Sequence, residues 1–162
     1  MTTDAAPRDM ERSGATAALS AIIGLYERIP RDIIALLARA QVGWVFWASG
    51  QTKVDGFALK NSTFYLFREE YKVPLISPDV AAYLATAAEH IFPLFLLVGF
   101  ASRFSATALL LMTLVIQVFV YPSAYLTHAW WALALLFIMA NGPGTFSLDH
   151  LVRRRYMEPD RR

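Results

Sequence analysis

Four apolar runs, at about 33–50, 80–100, 104–121 and 124–140, dominate this chain of 162 residues. Each is close to the ~20 residues that a helix needs to cross a hydrocarbon core ~30 Å thick. Inside a bilayer the backbone must satisfy its own hydrogen bonds, which leaves a run of that length one stable conformation, the α-helix. Barrel strands do not fit, because they are ~10 residues long and alternate in polarity. The sequence predicts an all-α polytopic membrane four-helix bundle, one domain over 31–152. A soluble bundle with a buried core is the competing reading. It accounts less well for four adjacent long runs, two of which carry Trp44, Trp47, Trp130 and Trp131. The mean hydropathy of +0.40 is modest only because polar tails and one polar loop dilute it. The chain has no cysteine, which removes disulfides, thiol catalysis and Cys-ligated metals. The pI of about 9.0 comes from arginine-rich ends and needs no nucleic-acid partner.

Orientation follows from the lysines and arginines that flank the spans. Ten lie on the side of the two termini: Arg8, Arg12, Arg28, Arg31, Arg103, Arg153, Arg154, Arg155, Arg161 and Arg162. Four, Lys53, Lys60, Arg68 and Lys72, lie on the other side. Both termini are therefore expected in the cytoplasm. No cleavable signal peptide is expected, since Asp4, Asp9 and Glu11 occupy the place of a positive leader. Residues 1–15 read as a disordered tail and 153–162 as a basic tail. Leu19, Ile22, Ile23, Tyr26 and Ile29 share one helical face, so 16–30 is expected to form an amphipathic interfacial helix or to pack on a partner protein. The loop from 51 to 79 is aromatic and apolar. A short helix near Ser62–Tyr71 is expected there, ordered as a lid over the outer mouth.

An acid and an imidazole inside a span ask for a reason, and Glu89 with His90 lie mid-way along the second run. Arg39 is the matching intramembrane cation. Counted from the span ends, its depth differs from that of Glu89 by about 5–8 Å. Three readings follow: a helix–helix clasp, a proton-titrating Glu89 held by Arg39, or Arg39 snorkelling alone. His90 points about 100° away from Glu89, on a stripe with Tyr83, Thr86 and Pro93 that suits a hydrogen-bonding seam or a pocket wall. Gln117 is placed to bond across helices. Lys53 closes the first span, snorkelling or drawing an anionic group into the mouth. Trp44 and Trp47 either pack in the core or stack a flat ring such as a quinone. His128, Trp130 and Trp131 read as an interfacial aromatic belt. The three histidines lie at different depths, so no metal site is expected. No phosphate-binding glycine loop is present.

Several local patterns together resemble the DoxX family. They are Arg39 ahead of Gly50-Gln51-Thr52-Lys53, then Glu89 followed by Pro93 and Gly99-Phe100-Ala101-Ser102-Arg103, and the closing Gly142-Pro143-Gly144-Thr145-Phe146-Ser147-Leu148-Asp149. The resemblance covers about 33–152. It implies a four-helix integral membrane protein of the bacterial cytoplasmic (inner) membrane, with Gly50, Gly99, Arg103, Gly144, Ser147 and Asp149 as a structural fingerprint. Some members resemble a subunit of a thiosulfate:quinone oxidoreductase, others are linked to redox complexes that guard against oxidative stress, and others are encoded beside small metal-responsive peptide systems. Fold analogy alone licenses no activity.

Two functions remain open at this stage. The first is an accessory subunit of a membrane redox or stress-defence system that binds a quinone and takes electrons from a partner protein, having no cofactor of its own. The second is a non-enzymatic scaffold or small-solute conduit. Ala81, Ala82, Ala85, Ala87 and Ala88 offer close helix approach, either within the bundle or in a homo-oligomer.

Overall fold

The computed structural model describes residues 6–156, with side chains described at residue 14 and from 16 onward. Helix α1 spans Ala6–Glu27 and begins earlier than the expected 16. Its apolar stripe, including Leu19, Ile22 and Ile23, is exposed. The remainder of the expected tail, 1–5, lies outside the described residues, as do 157–162.

Four long antiparallel helices follow: α2 at Arg31–Lys53, then, after a short loop helix, α4 at Pro78–Val98, α5 at Ser102–Val115 and α6 at Tyr125–Asn141. A π-helical turn extends α5 to Val120, and a 3-10 turn at Pro122–Ala124 precedes α6. All four are long and apolar enough to cross a membrane. α2 packs on α4 and α6, and α5 packs on the same two helices, which closes a square bundle. Its centre is apolar: Val42 and Phe46 meet Leu96, Leu109, Leu135 and Ile138. Outward positions such as Leu111, Leu133 and Leu136 stay exposed, as a lipid-facing surface requires.

The outer loop is ordered. After α2, a two-residue ribbon (Val54–Asp55 with Ala58–Leu59) turns the chain into α3, Asn61–Tyr65, which tightens into a π-helical turn at Leu66–Tyr71. The Thr63 hydroxyl donates to the Lys53 carbonyl at 2.8 Å, closing the end of α2. Phe67 then packs on Ala81 and Ala82 at the start of α4. The expected lid helix is thus present, and its seat is the alanine-rich turn of α4.

At the opposite end the chain ties itself into a polar knot. Helix α7, Leu148–Tyr156, is capped by Ser147, whose Oγ accepts the His150 N–H at 3.1 Å. Asp149 reaches back from α7, and its two carboxylate oxygens accept the N–H groups of Ala101 and Ser102, each at 2.8 Å. A carboxylate there satisfies orphan donors and meets the positive end of the α5 dipole. Gly99 sits at φ 71 where α4 ends, and a Cβ on it would fall on Ser147 and Arg39. Asp32, in the first turn of α2, accepts both the N–H and the hydroxyl of Thr145, at 3.1 and 2.9 Å.

Candidate functional site: a polar-headed cavity under the outer loop

Between the loop and the apolar centre lies a cavity of about 350 Å³. It exists because Ala85 and Ala88 present almost no side chain toward it. Both π-helical turns border it: Phe67 and Tyr71 from the loop, Ile116 and Val120 from the end of α5. Such turns add a residue to a helix and are frequent at functional sites. Phe46 and Trp131 form the deeper aromatic wall, with rings 5.4 Å apart edge to face.

One wall is charged. Lys53 and Glu89 are both buried, with side chains 7% and 4% exposed. Lys53 Nζ donates to Glu89 Oε1 at 2.9 Å and stands 2.7 Å from Oε2, a charge contact without hydrogen-bond alignment. Ser49 Oγ donates to Oε1 at 3.1 Å and accepts from Lys53 Nζ at 3.1 Å. Pro93 removes the helical donor to the Glu89 carbonyl and so loosens α4 at this residue. Over the mouth, Tyr71 meets Tyr121 edge-on at 5.7 Å. Burial first, then the hydrogen bond with Tyr121, and less strongly the negative charge of Glu89, push the Tyr71 phenol well above its ordinary range.

Arg39 does not meet Glu89. Its guanidinium is buried at the terminal end, where Nη2 donates to the Phe146 carbonyl at 2.6 Å and Asp149 is the acid that acts on it. The two side chains are separated by axial offset. Gly50 lies level with Glu89 and His90: a Cβ there would stand 2.8 Å from the imidazole and 3.2 Å from Glu89 Cβ. Arg39 is eleven residues from that level, about 16 Å along the helix. α4 overshoots α2 at the loop end, and its extra turns seat the lid. Nε and Nη1 of Arg39 are buried with no hydrogen-bond partner among the described residues.

The other expected ligand residues divide differently from the expectation. Lys53 lines the cavity, whereas His90, Tyr83, Trp44, Trp47 and Gln117 do not. His90 donates Nδ1–H to the Thr86 carbonyl at 2.7 Å, so Nε2 accepts from the Gln51 amide at 3.0 Å. Trp47 packs edge-on against that ring at 5.1 Å, and Trp44 is 65% exposed. The inward stripe of α2 runs through Val42, Phe46, Gly50 and Lys53, which turns both tryptophans away. Tyr83 packs outside on Phe64. Gln117 does bond across helices: its Oε1 accepts from His128 Nδ1 at 2.6 Å, while its Nε2 donates to the Pro122 carbonyl at 2.8 Å. Of the expected belt, only Trp130 faces outward; His128 and Trp131 line the cavity. The pairing of His128 with Gln117 is the missed signal. Eleven positions apart on consecutive spans, the two polar residues fall at matching depth beside the turn that joins their helices. Among the described residues no three of His, Asp or Glu gather to hold a metal.

A bundle of four spans, knotted at one end and hollow beneath an ordered loop at the other, defines a multi-pass membrane protein. The chain belongs to the DoxX family, whose profile matches residues 34–122. It is also 28% identical over 138 residues to an uncharacterized protein of Haemophilus influenzae, across 79% of this chain and 89% of that one. No solved structure matches.

Proposed function

We propose that this protein is an accessory subunit of a quinone-linked membrane redox or stress-defence system, with the quinone head held in the cavity under the outer loop. The reading is carried by one observation: an apolar hollow of about 350 Å³ with a single buried, mutually neutralised ion pair on its wall. Small-molecule sites are of this kind, mostly apolar with a few placed polar groups, at ~300–1,000 Å³. A bound quinone supplies two-electron chemistry, and its electrons come from a partner protein. The chain's own groups bind and move protons. Lys53 Nζ, already committed to Glu89 and Ser49, would turn one donor to a carbonyl oxygen at the wall. Glu89 would relay one of the two protons that the reduced ring takes up, the other coming from water, and Ser49 would hold its Oε1 in place. The joint Phe46–Trp131 wall would lie against the ring, and the Tyr71–Tyr121 contact would keep water from the mouth. The excess of cations at the terminal end supports a bacterial inner-membrane placement with cytoplasmic termini.

A continuous solute conduit is less well supported, because Val42, Leu96, Leu109, Leu135 and Ile138 fill the bundle below the cavity. The test is binding of a short-chain quinone to the purified protein in mild detergent, read by quenching of tryptophan fluorescence. Saturable quenching that is lost in Lys53→Met/Glu89→Leu and kept in Trp44→Phe supports the site. Equal quenching in the native protein and the double variant rejects it.

A further inference from the structure

The cavity under the outer loop carries a second polar group, His128, that the ion pair does not use. We infer that His128 Nε2 accepts the O–H of a hydroquinone, so that the cavity holds the reduced ring more tightly than the quinone. This rests on the quinone reading and adds to it the redox state that the site selects.

Four observations carry it. First, the tautomer of His128 is fixed. Gln117 Nε2 donates to the Pro122 carbonyl at 2.8 Å, which leaves Gln117 Oε1 against His128 Nδ1 at 2.6 Å. An amide oxygen only accepts, so Nδ1 carries a proton, and in the neutral ring Nε2 is left as a lone-pair acceptor. Second, that acceptor is uncommitted: Nε2 has no hydrogen bond among the described residues. Third, it opens on the hollow. His128 is only 4% exposed and lines the cavity, yet its Nε2 keeps accessible surface, unlike the closed-off Nε of Arg39. Fourth, it stands in the same layer as the ion pair. Lys53 is the last residue of α2 and His128 the fourth of α6, and these two helices pack side by side with both residues at the loop end. An aromatic wall runs between them. The His128 ring lies 5.0 Å from Trp131, and Trp131 lies 5.4 Å from Phe46, which shares the inward stripe of α2 with Lys53.

The cavity therefore offers a donor from one helix and an acceptor from its neighbour. Lys53 donates to one ring oxygen, which accepts whether it is a carbonyl or a hydroxyl. The second oxygen faces Nε2. A hydroxyl there donates to the imidazole. A carbonyl there sets acceptor against acceptor and leaves Nε2 desolvated and unpaired, a difference of about ten-fold in affinity.

The experiment is isothermal titration calorimetry of the purified protein in mild detergent, with a short-chain 1,4-benzoquinone and, under anaerobic conditions, its hydroquinone. The native protein is expected to bind the hydroquinone about ten-fold more tightly. His128→Phe keeps an aromatic ring beside Trp131 and should abolish that preference. Gln117→Leu should shrink it, because the imidazole is then free to carry its proton on Nε2 and donate to a carbonyl. A His128 that serves packing alone would not respond to Gln117. If His128→Phe does not fold, as judged by thermal unfolding without ligand, Gln117→Leu/His128→Phe removes the orphaned amide as well and carries the same comparison. Equal affinity for the two forms in the native protein, tighter binding of the quinone, or a preference that survives unchanged in His128→Phe or Gln117→Leu overturns the role of His128 and leaves the quinone site standing. Binding of neither form rejects the quinone site itself and the role of His128 with it.

Discussion

The two ends of the bundle bury charge in opposite ways. At the terminal end the half-buried acids are bound to backbone or to a neighbouring hydroxyl: Asp149 to the start of α5, Asp32 to Thr145. Arg39 likewise donates to the Phe146 carbonyl. At the loop end Lys53 and Glu89 bind each other beside an open hollow. Backbone-bound charges cannot change partner without unfolding a turn, whereas a side-chain pair on a cavity wall can share a donor or a proton with a ligand. The difference teaches that a family fingerprint can be mostly architecture. Gly99, Gly144, Ser147 and Asp149 build the knot. Gly50 sets the approach of α2 to α4. Lys53 and Glu89 hold the proposed chemistry.

The largest expected effect comes from splitting the loop-end pair. Lys53→Met leaves Glu89 buried and unpaired, which costs about 3–5 kcal/mol, while Lys53→Met/Glu89→Leu returns to within about 1 kcal/mol of the native protein. Thermal unfolding in detergent reads both, and a double variant as unstable as the single one would mean the pair is not an isolated unit. Next is Gly99→Ala at the knot. A left-handed backbone plus overlap with Ser147 should cost about 2–4 kcal/mol, with quinone-analogue affinity unchanged in the folded fraction. Loss of binding in that variant would erase the proposed division between the ends. Asp149→Ala, which strips the cap from α5, should cost about 1–2 kcal/mol by the same unfolding measurement, again without touching ligand affinity.

The smallest effect is at the lid, where Tyr71→Phe should cost about 1 kcal/mol and speed ligand release in stopped-flow quenching. Its pH dependence has a definite sign. The folded state holds the Tyr71 proton more tightly than the unfolded state, so nothing is lost below the ordinary phenol value of 10.0, and stability falls as pH rises above it. Thermal stability in detergent should therefore fall above that pH in the native protein, and the fall should be much weaker in Tyr71→Phe. An identical profile in both would move the titration elsewhere.

Much of the architecture was legible in local pattern. The expected spans fall within a few residues of the observed helices, and the lid helix stands where the aromatic loop placed it. Helix length and periodicity are properties of consecutive residues, which is why they survive in a bare sequence. The chain also announced that Glu89 is buried, since an acid in an apolar run has nowhere else to go. Which cation would meet it was another matter. Arg39 and Lys53 lie on the same inward stripe of α2, and only the overshoot of α4 past α2 brings Lys53 to Glu89. The inward turn of His128 and Trp131, and the convergence of two π-helical turns on one cavity, depend equally on how whole helices slide and rotate against each other. Those offsets go with small residues at contacts and with the lid seated on α4. Hydrophobic length places a helix across the membrane, but it does not fix its height or its rotation, and the partners of the buried charges follow from those two.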